Sequence, residues 1–407
     1  MTHPRAEPSW LLGPLRARED GLLAAVEELV NIDSGSYTAE GVNRVADLCQ
    51  ARFERGGWEV ERHRHRPDQE WAGAPLGDMV VGRRAGARPV AEGGRRLLLL
   101  AHMDTVFDEG TAAARPVRVK DGRAYGPGVT DDKAGVVCGF EAVEVLCGEA
   151  GFDDFAAITL VCSPDEEIGS PFSRPLIEAL AGEHDVAVGL EAARTNGALV
   201  SARKGISAFT VEVAGKAVHA GVRPDEGVSA VLEAAHKTVA LQALNGRWPG
   251  VSCNVGVFRG GSRTNVVADR ATLQVEVRAA ATAAFDQAMD EVGRIVAATT
   301  VEGATARMAP AHRHPPMERT GAVAALVAEA QAVARELGFE VGEAATGGAG
   351  DANTTAATGL PTIDGLAPVG GEAHGPDEWL DLASVVPRTA LLAGLLARLG
   401  VRGDAGT

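Results

Sequence analysis

The sequence has few cysteines, and their arrangement excludes a protein held together by disulfide bonds. The five cysteines are odd in number, scattered, and without a C-x-x-C pair. They are Cys49, Cys138, Cys147, Cys162 and Cys253. Because they lie within apolar or helical patterns, we expect buried, reduced thiols and neither disulfides nor a thiolate metal site.

Long apolar runs and an excess of positive charge are also missing. The N-terminal segment Met-Thr-His-Pro-Arg-Ala-Glu-Pro has no apolar stretch typical of a secretion signal, and no run approaches the roughly 18 apolar residues of a membrane span. We therefore expect a cytoplasmic protein. The formal net charge of −16 at pH 7 argues against nucleic acids and anionic membranes as partners.

Length and composition indicate a globular protein of more than one domain. A chain of 407 residues is too long for one average hydrophobic core, which predicts two domains. Hydrophobic residues make up 45% of the chain and charged residues 23%, which are ordinary values for a globular protein. Helical periodicity is found at 21–30, 41–55, 133–146, 322–337 and 385–399.

Three short apolar runs are each followed by acidic or imidazole side chains. The runs and the side chains that follow them are 97–101 with His102, 157–162 with Glu166 and Glu167, and 185–190 with Glu191. Runs of this length that alternate with helical patterns predict buried parallel strands. Ligands bind outside the carboxyl ends of such strands, so these side chains should meet in one crevice. With Asp131 and His374 they form a set suited to two divalent metals, which indicates a metallohydrolase.

The segment from about 203 to 312 has a different character. Its strand and helix patterns follow the order βαββαβ, with strands at 206–213, 251–258, 272–278 and 304–308 and helices at 228–244 and 285–298. This order is the ferredoxin-like arrangement. We therefore predict an α/β protein with a mostly parallel catalytic sheet in a discontinuous domain, 1–202 and 313–407, and an inserted α+β domain, 203–312.

The motifs resemble those of the dinuclear-zinc peptidases and aminoacylases, most closely the glutamate carboxypeptidase (carboxypeptidase G) type. The resembling segments span about 97–386. They are His102-Met-Asp-Thr-Val, Ala124-Tyr-Gly-Pro-Gly128, Asp131-Asp-Lys, Asp165-Glu-Glu, Gly215-Lys-Ala-Val-His-Ala-Gly221, Asn265-Val-Val, Arg278 and His374. Any one segment would be a weak signal, but their ordered spacing makes the resemblance specific.

The resemblance implies a ligand set for two Zn²⁺ per chain, for which Co²⁺ or Mn²⁺ could substitute. Asp131 would bridge both metals, Glu167 and His374 would complete one site, and His102 and Glu191 would complete the other. A hydroxide shared by the metals would be the nucleophile. Three protein ligands per metal, with one open position, suit a catalytic site. The resemblance also implies a cis peptide bond between Asp131 and Asp132.

The resemblance assigns further roles around the metals. Glu166 would be the general base, and Asp104, two residues after His102 on an extended chain, would orient the imidazole. The inserted domain would act as a lid and dimerisation domain, and the expected partner is a second copy of the chain. Its His219 would donate to the oxyanion, in the neighbouring subunit's site if the lid acts across a dimer. Asn265 and Arg278 would hold the substrate, since a guanidinium can clamp a terminal carboxylate.

The chain departs from the carboxypeptidase G pattern at one position. That pattern has a lysine, which reads the glutamate side chain, nine residues into the segment after the second-site glutamate. Here the segment 192–200 has no lysine; Arg194 is near but not aligned, and Lys204 comes later. We therefore expect hydrolysis of a peptide or amide bond next to a free carboxylate, without an assigned glutamate preference. The substrate would be a small peptide or an N-acyl amino acid.

Other functions remain open at this point. Hydrolysis of N-acyl- or N-carbamoyl-amino acids is the alternative within the same chemistry. A non-catalytic binding protein of the same fold is a third possibility, which the loss of a ligand or of the base would mark. Singly, each motif has a plain structural explanation: His102 could be a turn histidine, Asp131 a helix N-cap and Glu166 a solvated first turn.

Overall fold

The computed structural model describes residues 8–66, 74–309 and 312–401. Most of the N-terminal segment discussed above lies outside these ranges. The described cysteines are all free, as predicted. Two compact units are present, one formed by 1–201, 319–345 and 350–407, and the other by 202–318 and 346–349.

The described helices occur in both units, and the predicted helical segments are all among them. They are α1 (Pro8–Ala17), α2 (Glu19–Val30), α3 (Ala39–Arg55), α4 (Thr111–Ala114), α5 (Ala134–Val143), α6 (Arg174–Glu183), α7 (Ala230–Gln242), α8 (Thr282–Ala297), α9 (Gly321–Glu336), α10 (Asp351–Ala357) and α11 (Leu382–Leu399).

The strands of the first unit up to the inserted segment are β1 (Glu59–His63), β2 (Met79–Ala85), β3 (Arg96–His102), β4 (Arg118–Lys120), β5 (Arg123–Tyr125), β6 (Ala157–Ser163), β7 (Val186–Gly189), β8 (Ala192–Ala193) and β9 (Leu199–Arg203). The remaining strands are β10 (Gly205–Ala214), β11 (Ser252–Gly260), β12 (Arg270–Ala279), β13 (Thr305–Met308), β14 (His312–His314), β15 (Glu343–Thr346), β16 (Thr362–Ile363), β17 (Ala367–Gly371) and β18 (Trp379–Asp381).

The main sheet of the first unit has the strand order β1–β2–β6–β3–β7–β16. Strands β6, β3, β7 and β16 run parallel, while β1 and β2 form an antiparallel edge. The three predicted apolar runs are β3, β6 and β7, at the centre of this sheet. The predicted α/β class with a mostly parallel sheet is confirmed.

The central strands are apolar throughout because helices cover both faces of the sheet. In β3, Leu97 and Leu99 pack in the large core with α5 and α11, whereas Leu98 and Leu100 pack with Ile177 of α6 on the opposite face. This two-sided burial explains why the strands read as continuous apolar runs with no alternation. Because β3, β6 and β7 run parallel, their carboxyl ends lie at one edge of the sheet.

A smaller sheet, with the order β4–β5–β18–β17–β8, adjoins the turn before α5. The sequence patterns did not predict it, since its strands have two to five residues each. Strand β18 is hydrogen-bonded to both β5 and β17. The loop between β17 and β18 carries His374, so this sheet determines where that histidine lies.

Helix α11 has a composition that would also suit a membrane span. Its 18-residue window has a mean hydropathy of 1.4, yet 67% of the window is buried inside the protein. It packs against α1, α5 and α9. Helix α11 is therefore a core helix of the first unit.

The second unit has the predicted βαββαβ order. Its antiparallel sheet has the order β11–β12–β10–β13, with β14 paired to β10. Leu273, Val275 and Val277 of β12 pack with Phe285 and Val292 of α8 in one core. The helices cover one face of the sheet, as in the ferredoxin-like arrangement.

Candidate metal centre

The carboxyl ends of three parallel strands bring acidic and imidazole side chains together. His102 is the last residue of β3 and is in register with Ser163, the last residue of β6. Glu166 and Glu167 follow β6 after a short connection, and Glu191 comes two residues after the end of β7. Because β3 lies between β6 and β7, the three chain ends open into one crevice.

Asp131 lies between the two imidazoles of this crevice. Its Oδ1 is 3.0 Å from His102 Nε2 and its Oδ2 is 3.2 Å from His374 Nε2. The predicted cis peptide bond between Asp131 and Asp132 is present. Each carboxylate oxygen of Asp131 therefore lies beside a different imidazole, and each imidazole belongs to a separate group of possible metal-binding atoms.

The two groups match the donor sets expected from the sequence. His374 Nε2 is 3.1 Å from Glu167 Oε2, and His102 Nε2 is 3.7 Å from Glu191 Oε1. Four donors placed tetrahedrally at zinc bond lengths near 2.0–2.1 Å are about 3.3 Å apart. The observed separations are close to this value, so the side chains fit two divalent metals that share Asp131.

The electrostatics of the crevice also suit cations. Burial and the neighbouring carboxylates of Glu191 and Glu167 raise the pKa of Glu166 well above its usual range, against the attraction of His102. Burial likewise raises the pKa of Glu167. Divalent metals would reduce the repulsion between these carboxylates. Without metals, protonation of some of the carboxylates reduces the repulsion instead.

The pKa values of the imidazoles are raised as well, because the neighbouring carboxylates favour the protonated rings. Burial lowers the pKa of His102, but hydrogen bonds with Asp104 and Asp131 outweigh it and raise the pKa well above the usual range. Contacts with Asp131 and Glu167 raise the pKa of His374 to about 10. A metal that binds these nitrogens would displace protons and supply more positive charge at the same place.

Glu166 lies in the crevice beside its ligand-type neighbour Glu167. Donor atoms of His102, Glu166 and Glu191 all lie within 4.8 Å of one another, as do those of His102, Asp131 and Glu167. The carboxylate of Glu166 is therefore close enough to reach a water molecule held in the crevice. In a second arrangement it could itself be a ligand, and mutagenesis distinguishes the two.

Asp104 connects the two sides of the crevice. Its backbone carbonyl lies 3.0 Å from His102 Nδ1 and its carboxylate 3.3 Å from the same nitrogen. The carboxylate accepts hydrogen bonds from the backbone N–H groups of Glu166 and Glu167, at 3.1 and 3.2 Å. Ser36 donates to the same carboxylate at 2.6 Å. Asp104 can therefore orient the imidazole, and it also holds the backbone of the two glutamates, which the sequence did not reveal.

Three further buried carboxylates were missed by the sequence patterns. Asp132 accepts from the backbone N–H of His102 and, among the described residues, its Oδ1 has no hydrogen-bond partner. Asp351 accepts from the hydroxyls of Ser163 and Ser170 at 2.7 and 2.5 Å. Glu378 accepts from the turn that carries Asp131. A signal was available only for Asp132, which is adjacent to a predicted ligand.

The predicted lid residues lie in the second unit, at two separate positions along its sheet. The segment of His219 pairs with that of Asn265, since the backbone N–H of Ala220 donates to the carbonyl of Asn265 at 2.9 Å. Both segments adjoin the end of the sheet where β12 begins, at Arg270. Arg278 lies eight residues further along β12, about 26 Å away at the usual rise per residue.

Arg278 already has partners within its own unit. Its Nε and Nη2 donate to the two carboxylate oxygens of Glu276 at 2.7 and 3.1 Å, and its Nη1 donates to the carbonyl of Gly347 at 2.5 Å. An arginine has five N–H donors, so two remain for a ligand. Arg278 keeps the capacity to bind a carboxylate, in competition with Glu276.

Comparison with known proteins gives one matching family. The family model "Peptidase family M20/M25/M40" matches residues 98–398. Carboxypeptidase G2 from Pseudomonas sp. (strain RS-16) is 31% identical over 385 residues, which cover 94% of this chain and 90% of that protein. Acetylornithine deacetylase from Myxococcus xanthus is 31% identical over 269 residues, which cover 63% of this chain and 66% of that protein.

Solved structures share the fold. The aminopeptidase PepT from Bacillus cereus ATCC 10987 is 23% identical, with a TM-score of 0.73 over 94% of this chain and 98% of that one. The M20 family metallo-carboxypeptidase Sso-CP2 from Sulfolobus solfataricus has a TM-score of 0.70 at 16% identity, over 92% of this chain and 98% of that one. At these identities the likeness shows the fold alone.

The contacts of Asp104 predict that Asp104→Asn weakens metal binding. The amide keeps the size of the side chain and leaves the backbone carbonyl of Asp104 beside His102 Nδ1, but it presents N–H donors where Ser36 and two backbone N–H groups donate and removes the negative charge beside His102. Loss of such a supporting partner typically costs about 10- to 100-fold in metal affinity. Titration of the metal-free protein with Zn²⁺ measures this loss. An unchanged affinity would show that Asp104 does not orient the donors.

Proposed function

The chain belongs to peptidase family M20/M25/M40, and we propose that it cleaves a peptide or amide bond next to a free carboxylate, with two Zn²⁺ per chain. Enzymes of this family are metal-dependent hydrolases, and this chain is a hydrolase of the metallopeptidase and amidohydrolase type. The observation that carries the proposal is the position of Asp131, with one carboxylate oxygen at each imidazole.

In the proposed centre, His374 and Glu167 would hold one metal, His102 and Glu191 would hold the other, and Asp131 would contribute to both. When bound, the metals would polarise the scissile carbonyl and make a water molecule acidic. Co²⁺ or Mn²⁺ could substitute for Zn²⁺, since imidazole and carboxylate donors accept each of them. Asp104 fixes the ring of His102, so that Nε2 points at the crevice.

Glu166 acts as the general base in this proposal. Its carboxylate lies beside the donor atoms of His102 and Glu191. From there it accepts a proton from the attacking water and later passes it to the nitrogen of the leaving amine. The same carboxylate thus takes one proton and returns one proton in each turnover, and the products are a carboxylic acid and an amine.

The free carboxylate of the substrate is assigned to Arg278. Two of its N–H donors remain beside those used by Glu276 and Gly347. Two relatives support a substrate of this class by name, carboxypeptidase G2 and acetylornithine deacetylase. The second name favours hydrolysis of N-acyl-amino acids as the alternative, which the missing lysine in the segment 192–200 also leaves open.

The substrate class can be tested with matched compounds. Dipeptides, N-acetyl-amino acids and N-carbamoyl-amino acids are each compared with their C-terminal amides. A charge-assisted hydrogen bond is worth about 1.5–3 kcal/mol, so free carboxylates should have kcat/KM about 10- to 100-fold higher. Arg278→Ala should remove this preference by raising KM. Equal hydrolysis of acids and amides would contradict the proposed substrate. The class of compound that is hydrolysed fastest decides between a peptidase and an amidohydrolase.

Substitutions of the two adjacent glutamates should have different effects. Glu166→Gln should leave metal content unchanged and lower kcat by about 100-fold or more, because general-base catalysis contributes about 10²–10⁴. Glu167→Gln should instead weaken metal binding, since Glu167 Oε2 is a donor beside His374. Metal analysis of dialysed variants together with kcat at saturating Zn²⁺ distinguishes the roles. The reverse pattern would exchange the base and the ligand.

We also propose a homodimer formed through the second unit. Leu232 and Val239 of α7 are seven residues apart, hence on one helix face, and are 50% and 72% exposed. Strand β11 is an edge strand of its sheet and bears Phe258, which is 41% exposed. Exposed apolar side chains and an open strand edge favour association. The segment of His219 adjoins the start of β12 and Arg278 lies near the end of that strand, so the two residues could each serve a different site of the dimer.

Subunit mixing tests this division of roles. Glu166→Gln and His219→Ala should each be inactive or weak alone, because one removes the base and the other the oxyanion donor. If His219 serves the partner's site, every mixed dimer has one intact site, so random exchange restores about a quarter of wild-type activity. A mixture of Glu166→Gln with Glu167→Gln is the control and should not recover. No recovery in the first mixture would place His219 in its own chain's site.

A further inference from the structure

Glu378 is a buried carboxylate that contacts the backbone beside Asp131 and has no role in the proposed mechanism. It is 1% exposed and lies four residues after His374. Its Oε2 accepts from the backbone N–H of Gly128 at 2.9 Å. Its Oε1 accepts from the backbone N–H groups of Thr130 and Asp131 at 2.9 and 3.1 Å. One side chain therefore satisfies three donors of a single turn.

The turn cannot satisfy these donors by itself. Gly128 has a positive φ of 73°, and Asp131 and Asp132 have non-helical backbone angles just before α5 begins. Regular helical hydrogen bonds are therefore missing where Asp131 is placed. A buried N–H group without a partner is destabilising, so the carboxylate of Glu378 stabilises this irregular conformation over others.

Glu378 is itself held by the small sheet. The next residue, Trp379, begins β18 and is in register with Tyr125 of β5 and Gly371 of β17. In the loop that precedes Glu378, Glu372 and His374 have positive φ values of 55° and 65°. Non-glycine residues persist in this conformation only where their surroundings hold them.

We propose that Glu378 is a positioning residue that fixes the carboxylate of Asp131 relative to the imidazole of His374 and thereby sets the affinity for metal. It joins the two loops that supply these donors, while its own oxygens are occupied by backbone N–H groups and do not bind metal. Because Asp131 is the donor common to both metals, a shift of its turn would disturb both sites together. This inference rests on the proposed metal centre.

The test compares Glu378→Gln with a matched variant in the other unit. Glu233 is also a buried glutamate that is 1% exposed, and its carboxylate accepts from the backbone N–H groups of Thr300 and Val301 at 3.0 and 2.7 Å. It also forms an ion pair with the buried Lys237 at 2.7 Å, so its substitution should disturb the fold at least as much as that of Glu378. It lies on α7, away from the sequence segments of the metal centre. Both substitutions put an amide N–H₂ group where backbone N–H groups donate, so both should lower the melting temperature of the metal-free protein.

The two variants should differ in their affinity for Zn²⁺. Titration of the metal-free proteins with Zn²⁺ by calorimetry and by chelator competition should show a 10- to 100-fold weaker affinity for Glu378→Gln, the usual effect of losing a supporting partner. Glu233→Gln should bind Zn²⁺ like the wild type. Glu378→Asp, which keeps the charge but cannot reach all three N–H groups, should fall between them and serves if Glu378→Gln does not fold.

The outcomes are distinguishable. Wild-type affinity in Glu378→Gln, with only its melting temperature lowered, would overturn the positioning role and leave the proposed function intact. Equal weakening in Glu378→Gln and Glu233→Gln would also overturn it, because the effect would then be general destabilisation. A wild-type protein that does not bind Zn²⁺ would overturn the proposed metal centre and this inference together.

Discussion

The sharing of one carboxylate between two imidazoles is the interaction on which the rest of the site depends. Asp131 presents one oxygen to His102 and the other to His374, so its backbone must keep one position relative to the end of β3. An ordinary helix start would not place it there, and the structure has an irregular turn before α5 instead. Such a turn leaves backbone donors without helical partners, and a buried carboxylate from a distant loop compensates for them.

The carboxylates that surround Asp131 fit the same interpretation of the crevice. The acidic side chains in the crevice are buried or half-buried beside one another, and burial raises the pKa of Glu166, Glu167 and Asp351. A protein does not gain stability from such an arrangement, because like charges repel most strongly where water is excluded. The cluster is explained by a function that brings in positive charge. Asp104 then ties the donors together, since it holds both an imidazole and the backbone of the two glutamates.

Much of this arrangement could be predicted from the sequence, for a physical reason. Strands buried on both faces are continuous apolar runs, and parallel strands place the residues that follow them at one edge, so His102, Glu166 and Glu191 could be expected to meet. The βαββαβ order of the second unit could be predicted because its strands and helices are long and periodic. Asp131 and His374 follow none of these three runs, and the resemblance to a known family assigned their roles as the shared ligand and as a ligand of one metal.

The sequence could not reveal the contacts that hold the donors in place. Glu378 and its backbone partners are about 250 residues apart, and a hydrogen bond to a backbone N–H leaves no trace in the type of the partner residue. The small sheet was missed because strands of two to five residues have too little periodicity to be detected. The pairing of Arg278 with Glu276 was likewise hidden, since alternate residues of an exposed strand face are commonly charged without contact.

We propose that this crevice holds two divalent metals that share Asp131 and are required for hydrolysis. Native mass spectrometry combined with elemental analysis of the purified protein, before and after treatment with a chelator, measures this metal content. We expect two metals per chain, loss of hydrolysis when they are removed, and recovery when Zn²⁺ is returned. Hydrolysis that continues in the chelator, by a protein without tightly bound metal, would contradict the proposed metal centre.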